Sequence, residues 1–370
     1  MGVDDPLLPT PNRPERNPGR AAEAGLVGGM AVQWSWACRK VQSASCLELE
    51  ENPSAPPMPG DLALVRLDTM GFHKHLTTCE NRRLRLYAGV QFIGVFGNRY
   101  ASDAFEAEVQ GTDNLSLLTG AGMIGTVKSK YDAMADPSHV SLIGFVRGPE
   151  GRRLNLKDVL FRPTGERRLP AKLIYIVGTS MNSGKTTTAA RLIRGLSDLG
   201  LNVVACKLTG SVSNHDPDEM AAAAARKVTD FSDFGFASTY LARKEELLEL
   251  FYAMMAEVST VSPDVVLMEF ADGLLQRETT MLLSEPEIQK AANGVVLAAS
   301  DALSALWGAD RLRKLSYRVI AVSGKFTSSP LAMREYGEND SNIPVVSSVG
   351  TGAELAKCVG GFLAEPRLNP

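Results

Sequence analysis

A mostly parallel α/β sheet with helices on both faces, preceded by a small β-rich domain, is the fold class that these 370 residues predict. Three observations carry it. From Lys172 onward, apolar runs suited to buried parallel strands alternate with helix-length segments. The first of those runs ends in a glycine-rich turn that closes on Gly-Lys-Thr and opens a helix. The stretch before Lys172 breaks instead into short apolar runs separated by Gly, Asn, Asp and Pro, with no helical period of comparable length.

The composition agrees with a globular chain. Hydrophobic residues make up 44% and charged residues 22%, which excludes collagen, a coiled coil and a wholly disordered polymer. At about 150 residues per domain the length fits two to three domains. The net charge of −3 asks for neither nucleic acid nor an anionic membrane as a partner. No apolar run approaches the ~18–20 residues of a membrane span. The five cysteines, Cys38, Cys46, Cys79, Cys206 and Cys358, are odd in number and contain no CxxC pair. That usage predicts a reducing, cytoplasmic compartment without a disulfide framework or zinc cluster.

Residues 1–59 read as a disordered tail or linker. Prolines cluster at Pro6–Pro14 and Pro53–Pro59, and the apolar piece Ala31–Ala37 is too short and too interrupted for a signal peptide. A start of translation at Met58 is an alternative, since a compact pattern begins just after it. Residues 60–168 form the β-rich domain, expected as a partly closed barrel. Its strands are placed at 62–67, 84–96 with bends at Gly89 and Gly94, 105–109, 115–127 and 140–146. His73 and His75, with Cys79 nearby, are the one cluster that suggests a metal; without a third ligand at a recognised spacing, a surface pair is the simpler reading. Asn98-Arg99-Tyr100 reads either as a binding loop or as ordinary turn chemistry.

Residues 169–370 form the second domain. Leu173–Val177 is a buried strand, followed by Gly178-Thr179-Ser180-Met181-Asn182-Ser183-Gly184-Lys185-Thr186-Thr187 and then by a helix with Ala189, Leu192, Ile193, Leu196 and Leu199 on one face. This is a phosphate-binding loop in its required context. Gly178 and Gly184 let the backbone curl its N–H groups toward phosphate oxygens, and the helix N-terminus adds partial positive charge. Lys185 reaches the β- and γ-phosphates as a mobile charge, and the Thr186 hydroxyl is placed to ligate Mg²⁺. Thr179 stands where the commonest form of the motif has its first glycine, and Gly178 lies one residue earlier. Further strands are expected at 201–206, 265–270, 295–299, 317–322 and 344–349. Helices are expected at 302–315, 329–336 and 352–362. A long insertion at about 208–263 carries two more helices, at 217–228 and 243–258. Glu269 ends a strand after four apolar residues, where a carboxylate costs several kcal/mol unless a metal or its water shell pairs it. Asp216, before Pro217 and three residues from Glu219, has the signature of a helix cap and capping box. Asp230–Tyr240 reads as a substrate lid or a packed connector, and Arg277 as an anion clamp or a surface ion pair.

The Gly-x5-Gly-Lys-Thr spacing resembles the dethiobiotin synthetase type. That type lies within the wider SIMIBI class of P-loop NTPases, which includes cobyrinate amidating synthetases, metallochaperone GTPases and partition ATPases. Cys206-Lys207-Leu208-Thr209-Gly210 is similar to the family's Lys-Pro-x-x-Gly stretch, and Leu267–Gly273 to its Val-Glu-Gly-Ala-Gly stretch. The resemblance spans roughly residues 172–350. It implies that Lys207 contacts the substrate and that Asp216 and Glu269 join Thr186 at Mg²⁺. Leu208 and Asp272 depart from the family pattern. Ser180 replaces the signature lysine of partition-type ATPases, and Ser323-Gly-Lys-Phe-Thr replaces the guanine-reading Asn-Lys-x-Asp motif, so ATP is expected over GTP.

The expected function is an ATP- and Mg²⁺-dependent enzyme, ligase- or kinase-like, with Lys185 and Lys207 as catalytic residues. It would activate a small-molecule carboxylate or similar acceptor by phosphoryl transfer. The alternative is an NTP-hydrolysing switch or assembly factor acting on a protein or cofactor client. A homodimer is the oligomer that the resemblance suggests.

Overall fold

The computed structural model describes residues 26–27, 30–41, 47–165 and 172–363. Its first half is built on a closed ring of strands. Leu62–Thr69 pairs antiparallel with Gln91–Phe96 on one side and Ser138–Arg147 on the other. Ser138–Arg147 pairs with Leu115–Leu117, which pairs with Met123–Lys130. The ring closes where Met123 and Ile124 run parallel to Val95 and Phe96. Alternation along the strands explains the closure. Ala63, Val65 and Leu67 point into the barrel with Phe92, Phe96, Leu117 and Phe145, while Leu62 and Leu64 point outward. Two expected strands are each broken into two. The 84–96 stretch turns at Gly89 (φ +88°), leaving Arg83–Arg85 and Gln91–Phe96. The 115–127 stretch folds back through Gly122 (φ +94°), where a Cβ would strike the Ser35 side chain.

The outward face of this barrel is apolar and needs a cover, and the segment expected as a tail supplies it. Residues 1–25 lie outside the described residues. Beyond them, Gln33–Trp34 runs parallel to Gln91–Phe96, and Glu48–Glu50 pairs with Ser138–Arg147. Val32, Trp34, Ala37, Cys38, Val41 and Leu47 are buried against Leu62, Leu64, Ile93 and Val95. The tail reading of 1–59 is therefore corrected for its second half. A chain beginning at Met58 would leave this apolar face bare.

The second half is a parallel α/β sheet. Its strands are β1 (Leu173–Gly178), β2 (Val203–Lys207), β3 (Lys227–Asp230), β4 (Val265–Glu269), β5 (Gly294–Ala298) and β6 (Val319–Ser323), in the spatial order β3-β2-β4-β1-β5-β6. Its helices are α1 (Lys185–Asp198), α2 (His215–Ala222), α3 (Lys244–Ser259), α4 (Arg277–Leu283), α5 (Pro286–Ala291), α6 (Ala302–Lys314), α7 (Pro330–Asn339) and α8 (Ala353–Leu363). Alternate residues of β1 enter opposite layers. Tyr175 and Val177 pack with Phe251 and Met254 of α3 and Leu312 of α6. Ile174 and Ile176 pack with Leu192, Ile193 and Leu196 of α1 and Val359 of α8. Burial on both faces is why these strands read as unbroken apolar runs.

Two elements differ from expectation. The helix placed at 217–228 ends at Ala222, because Ala224 turns left-handed (φ +74°) and Val228-Thr229 pair with β2 as the edge strand β3. The strand placed at 344–349 shrinks to one bridge, Val345 to Val322, because Ser348 turns to bond Thr327.

The halves share packing. Asp230–Tyr240 is a packed connector: Phe231 and Phe236 are buried in the sheet's core, while Val212 and Ala237 enter the barrel's outer cluster. Arg39 bonds Asp233 at 2.6 Å, and Lys157 bonds Glu246 at 2.7 Å across the same junction.

Trp34 is fully buried under the N-terminal cover. Trp34→Ala is expected to cost about 3–5 kcal/mol, read from the urea midpoint of the full chain. A shift under about 1 kcal/mol would show that the cover is not part of the cooperative core.

Candidate functional site

The register of the parallel sheet assembles the site. Ile176 of β1 lies beside Glu269 of β4, and Glu269 beside Lys207 of β2, so three strand ends place the loop, a carboxylate and an ammonium side by side. Ligands of open α/β sheets sit at such carboxyl ends.

The loop after β1 folds through left-handed Asn182 (φ +58°) and Gly184 (φ +92°). Gly184 caps α1 without a side chain, so the first N–H groups of the helix have no side-chain cap. Gly178 has a separate reason to be glycine. A Cβ there would lie 2.7 Å from Lys185 Cδ, so its absence lets the lysine fold back over the strand end. Lys185 Nζ donates to the carbonyls of Ser180 at 3.0 Å and Asp272 at 2.5 Å. Burial lowers its pKa, and Glu269 and Asp272 oppose that shift. The Ser180 hydroxyl lies 3.2 Å and the Thr179 hydroxyl 3.4 Å from Ser300 Oγ. The Ser183 carbonyl accepts from the Lys325 amide at 2.8 Å. Thr186 Oγ1 donates to Glu269 Oε1 at 3.3 Å, and Thr187 lines the cavity in front. Met181 and Asn182 belong to the loop, but their side chains meet the barrel. Asn182 donates to Asp103 at 2.5 Å, and Met181 touches Ser102.

Glu269 is 2% exposed, and its Oε2 has no protein partner among the described residues. Burial raises its pKa against the pull of Lys207 and Lys185. Lys207 forms an ion pair with Asp216 and lies 3.9 Å from Glu269. Burial disfavours its charge, yet the two carboxylates keep its pKa above the ordinary value. The capping signature at Asp216 did not decide its role. Asn214 is the N-cap of α2, and Asp216 sits in the first turn with its carboxylate on Lys207 and 3.2 Å from His215 Nδ1. The chemistry of this strand-end group fits a hydrated divalent cation: one hydroxyl, one orphaned carboxylate oxygen and ammonium groups for phosphate.

Sequence reasoning missed two features. Asp272 is a non-glycine residue at φ +62° whose carboxylate lines the cavity. Burial pushes its pKa up to about 6. The barrel also supplies the opposite wall: His73, Arg99, Tyr100 and Thr119 line the same cavity of about 590 Å³ as Lys185, Lys207 and Glu269. The Asn98–Tyr100 stretch was visible as a loop, but nothing local in it points at a phosphate loop. The suggested His73, His75 and Cys79 cluster does not form. His73 bonds the Leu118 carbonyl, His75 meets Arg83 and Cys79 meets Glu80. Arg277 pairs with Glu278. Among the described residues no group of three or more His, Cys, Asp or Glu side chains is placed to hold a metal ion by itself, and no helix is long and apolar enough to cross a membrane.

No family model and no curated protein matches the sequence. Solved structures do match. The signal recognition particle receptor FtsY from Elizabethkingia anophelis is 15% identical with a TM-score of 0.36, over 56% of this chain and 70% of that one. The cell division ATPase MinD from Pyrococcus furiosus is 16% identical with a TM-score of 0.36, over 52% and 99%. The hydrogenase maturation factor HypB from Archaeoglobus fulgidus is 13% identical with a TM-score of 0.36, over 52% and 90%. The likeness is one of fold alone.

The raised Asp272 pKa makes a stability prediction. Between about pH 4 and pH 6 the unfolded chain releases this proton before the folded chain does, so stability falls as pH rises through that window. Asp272→Asn is expected to stabilise the protein by about 1–2 kcal/mol at pH 7 and by much less at pH 4. Urea melts at the two pH values check this, and equal effects at both would remove the desolvated carboxylate from the account.

Proposed function

We propose that the chain is a Mg²⁺-dependent nucleoside triphosphatase with ATP as its nucleotide, and that hydrolysis resets the grip of the barrel domain on a client held at the shared cavity. One observation carries this reading: Lys185, Thr186 and the half-unpartnered carboxylate of Glu269 stand together at the mouth of an uncapped helix. Loop N–H groups and Lys185 would neutralise the β- and γ-phosphates. Thr186 and Glu269 would hold the metal, which when bound spreads the charge of the transferring phosphoryl group. Asp216 would join only by releasing Lys207. The absence of an Asn-Lys-x-Asp motif supports adenine over guanine. Clamps at two edges of the site support coupling to the barrel. Asn182 bonds Asp103 on the loop side, and Asp218 and Asn214 of α2 bond Asn81 on the other.

A second reading is phosphoryl transfer to a small-molecule carboxylate or similar acceptor, ligase- or kinase-like, with Lys207 orienting that acceptor. The polar barrel wall facing the cavity favours it. The two readings separate in one assay. A switch hydrolyses Mg-ATP slowly without any small molecule and accelerates with a protein client; a transferase stays silent until its acceptor is present.

Lys185→Ala is expected to lower Mg-ATP turnover by about 100-fold or more, with the fold kept as read by far-ultraviolet circular dichroism. Unchanged nucleotide affinity and turnover in that variant would remove the phosphate-loop assignment. Glu269→Gln is expected to raise the Mg²⁺ concentration for half-maximal turnover by about tenfold. An unaltered magnesium titration would take Glu269 out of the metal site.

A further inference from the structure

Arginines that are half-buried in the barrel domain have carboxylate partners. Arg39 reaches Asp233 at 2.6 Å, Arg147 reaches Glu50 at 3.1 Å, and Arg153 reaches Asp61 at 3.1 Å. Arg99 does not. Among the described residues no carboxylate comes within ion-pair distance of its guanidinium, although it is half-buried and lines the cavity in front of the phosphate loop. Among the described residues its side-chain hydrogen-bond contact is His73, whose Nε2 lies 3.4 Å away. That contact cannot satisfy it. The same Nε2 lies 2.8 Å from the Leu118 carbonyl, which can only accept, so Nε2 carries the proton and has no lone pair for the arginine. Burial holds the His73 pKa near 4, so at neutral pH the ring adds no counter-charge and no repulsion.

The guanidinium is also held in place. The Arg99 amide and carbonyl both bond Ala107, at 2.8 and 2.9 Å, and the side chain lies 5.7 Å above the Phe105 ring. Burial lowers its pKa to about 10 against the pull of Asp103 and Asp272, which leaves it charged at neutral pH. A cation fixed at the wall of a cavity without an acceptor costs free energy until an anion fills the place. A planar fork of donors suits a carboxylate bound through two oxygens. Asp272 lines the same cavity, so a monoanionic group is repelled less there than a dianionic phosphate.

We propose that Arg99 is the specificity residue of this site, binding the carboxylate of a small-molecule ligand against the barrel wall, across the cavity from the nucleotide phosphates. This rests on the nucleotide reading above for what occupies the opposite side. It assigns to the barrel domain the choice of the second ligand's chemical class.

The test is a calorimetric titration of the full chain with succinate as probe, in saturating Mg-ADP so that the phosphate loop is filled. Wild type is expected to bind succinate, and Arg99→Gln to bind it about 10- to 100-fold more weakly. Arg99→Lys keeps the charge without the fork and is expected to fall between the two, so the inference stays testable if the glutamine variant fails to fold. Arg152→Gln, an exposed arginine paired with Glu150, is expected to match wild type. Equal succinate affinity in wild type and both Arg99 variants would overturn the proposal. So would inorganic phosphate binding more tightly than succinate through the same residue, or an Arg99→Gln defect confined to Mg-ADP affinity. If wild type fails to bind Mg-ADP, the nucleotide reading falls. The succinate titrations, repeated on Lys185→Ala with each Arg99 variant, then still decide the role of Arg99.

Discussion

A carboxylate buried at the centre of a parallel sheet is the constraint on which the rest of this structure depends. Glu269 closes β4 at 2% exposure and keeps one oxygen without a protein partner. Such a group is tolerable only where positive charge converges on it. The sheet order supplies that convergence, because β4 lies between β1 and β2. Lys185 arrives from the loop after β1 and Lys207 from the end of β2, and Thr186 donates from the first turn of α1. Asp216 and Asp272 then bring the carboxylates around the two ammonium groups to three.

The same constraint explains why the barrel sits where it does. The Gly178–Thr187 loop and the helix α2, which flank the site, are both tied to the barrel. Asn182 in the loop bonds Asp103, and Asp218 of α2 bonds Asn81. Between these ties the barrel contributes the far wall of the cavity. The wall facing the strand ends therefore comes from the barrel, not from a lid within the sheet domain. Asp230–Tyr240, which has the composition of a lid, is committed to packing: Phe231 and Phe236 sit in the sheet's core, and Asp233 holds Arg39.

Much of the sheet domain was legible in the sequence because each buried parallel strand must be apolar on both faces, and Gly178–Thr187 carries its own conformational logic. Failures occurred where long-range packing outweighed a local signal. The 32–50 segment reads as linker between proline clusters, yet its few apolar residues cover a barrel face defined by strands up to 100 residues away. The alanine run after Met220 imitates a longer helix, but pairing with β2 draws Lys227–Asp230 into the sheet. At Asp216 the capping signature was present, and the stronger attraction of a buried lysine took the side chain instead. Asp272 was invisible as a site residue, and Arg99 was legible only within a stretch that reads equally as a binding loop or as turn chemistry, for one shared reason. Their surroundings are made by the other domain or by a left-handed turn, and neither leaves a periodic trace.

That the strand-end group and the cavity wall facing it belong to different domains has a physical consequence. The strand-end group is over-determined: moving Glu269, Lys185 or Lys207 alone strands a buried charge, so its chemistry resists change. The barrel wall is not so bound. Arg99 is fixed by its backbone bridge to Ala107 and lines the cavity, so on the proposal above a substitution there alters what is recognised. A fold of this kind hosts many activities through its sites. Here the part free to vary is the barrel, and the acceptor or client has to be sought in what that wall can bind.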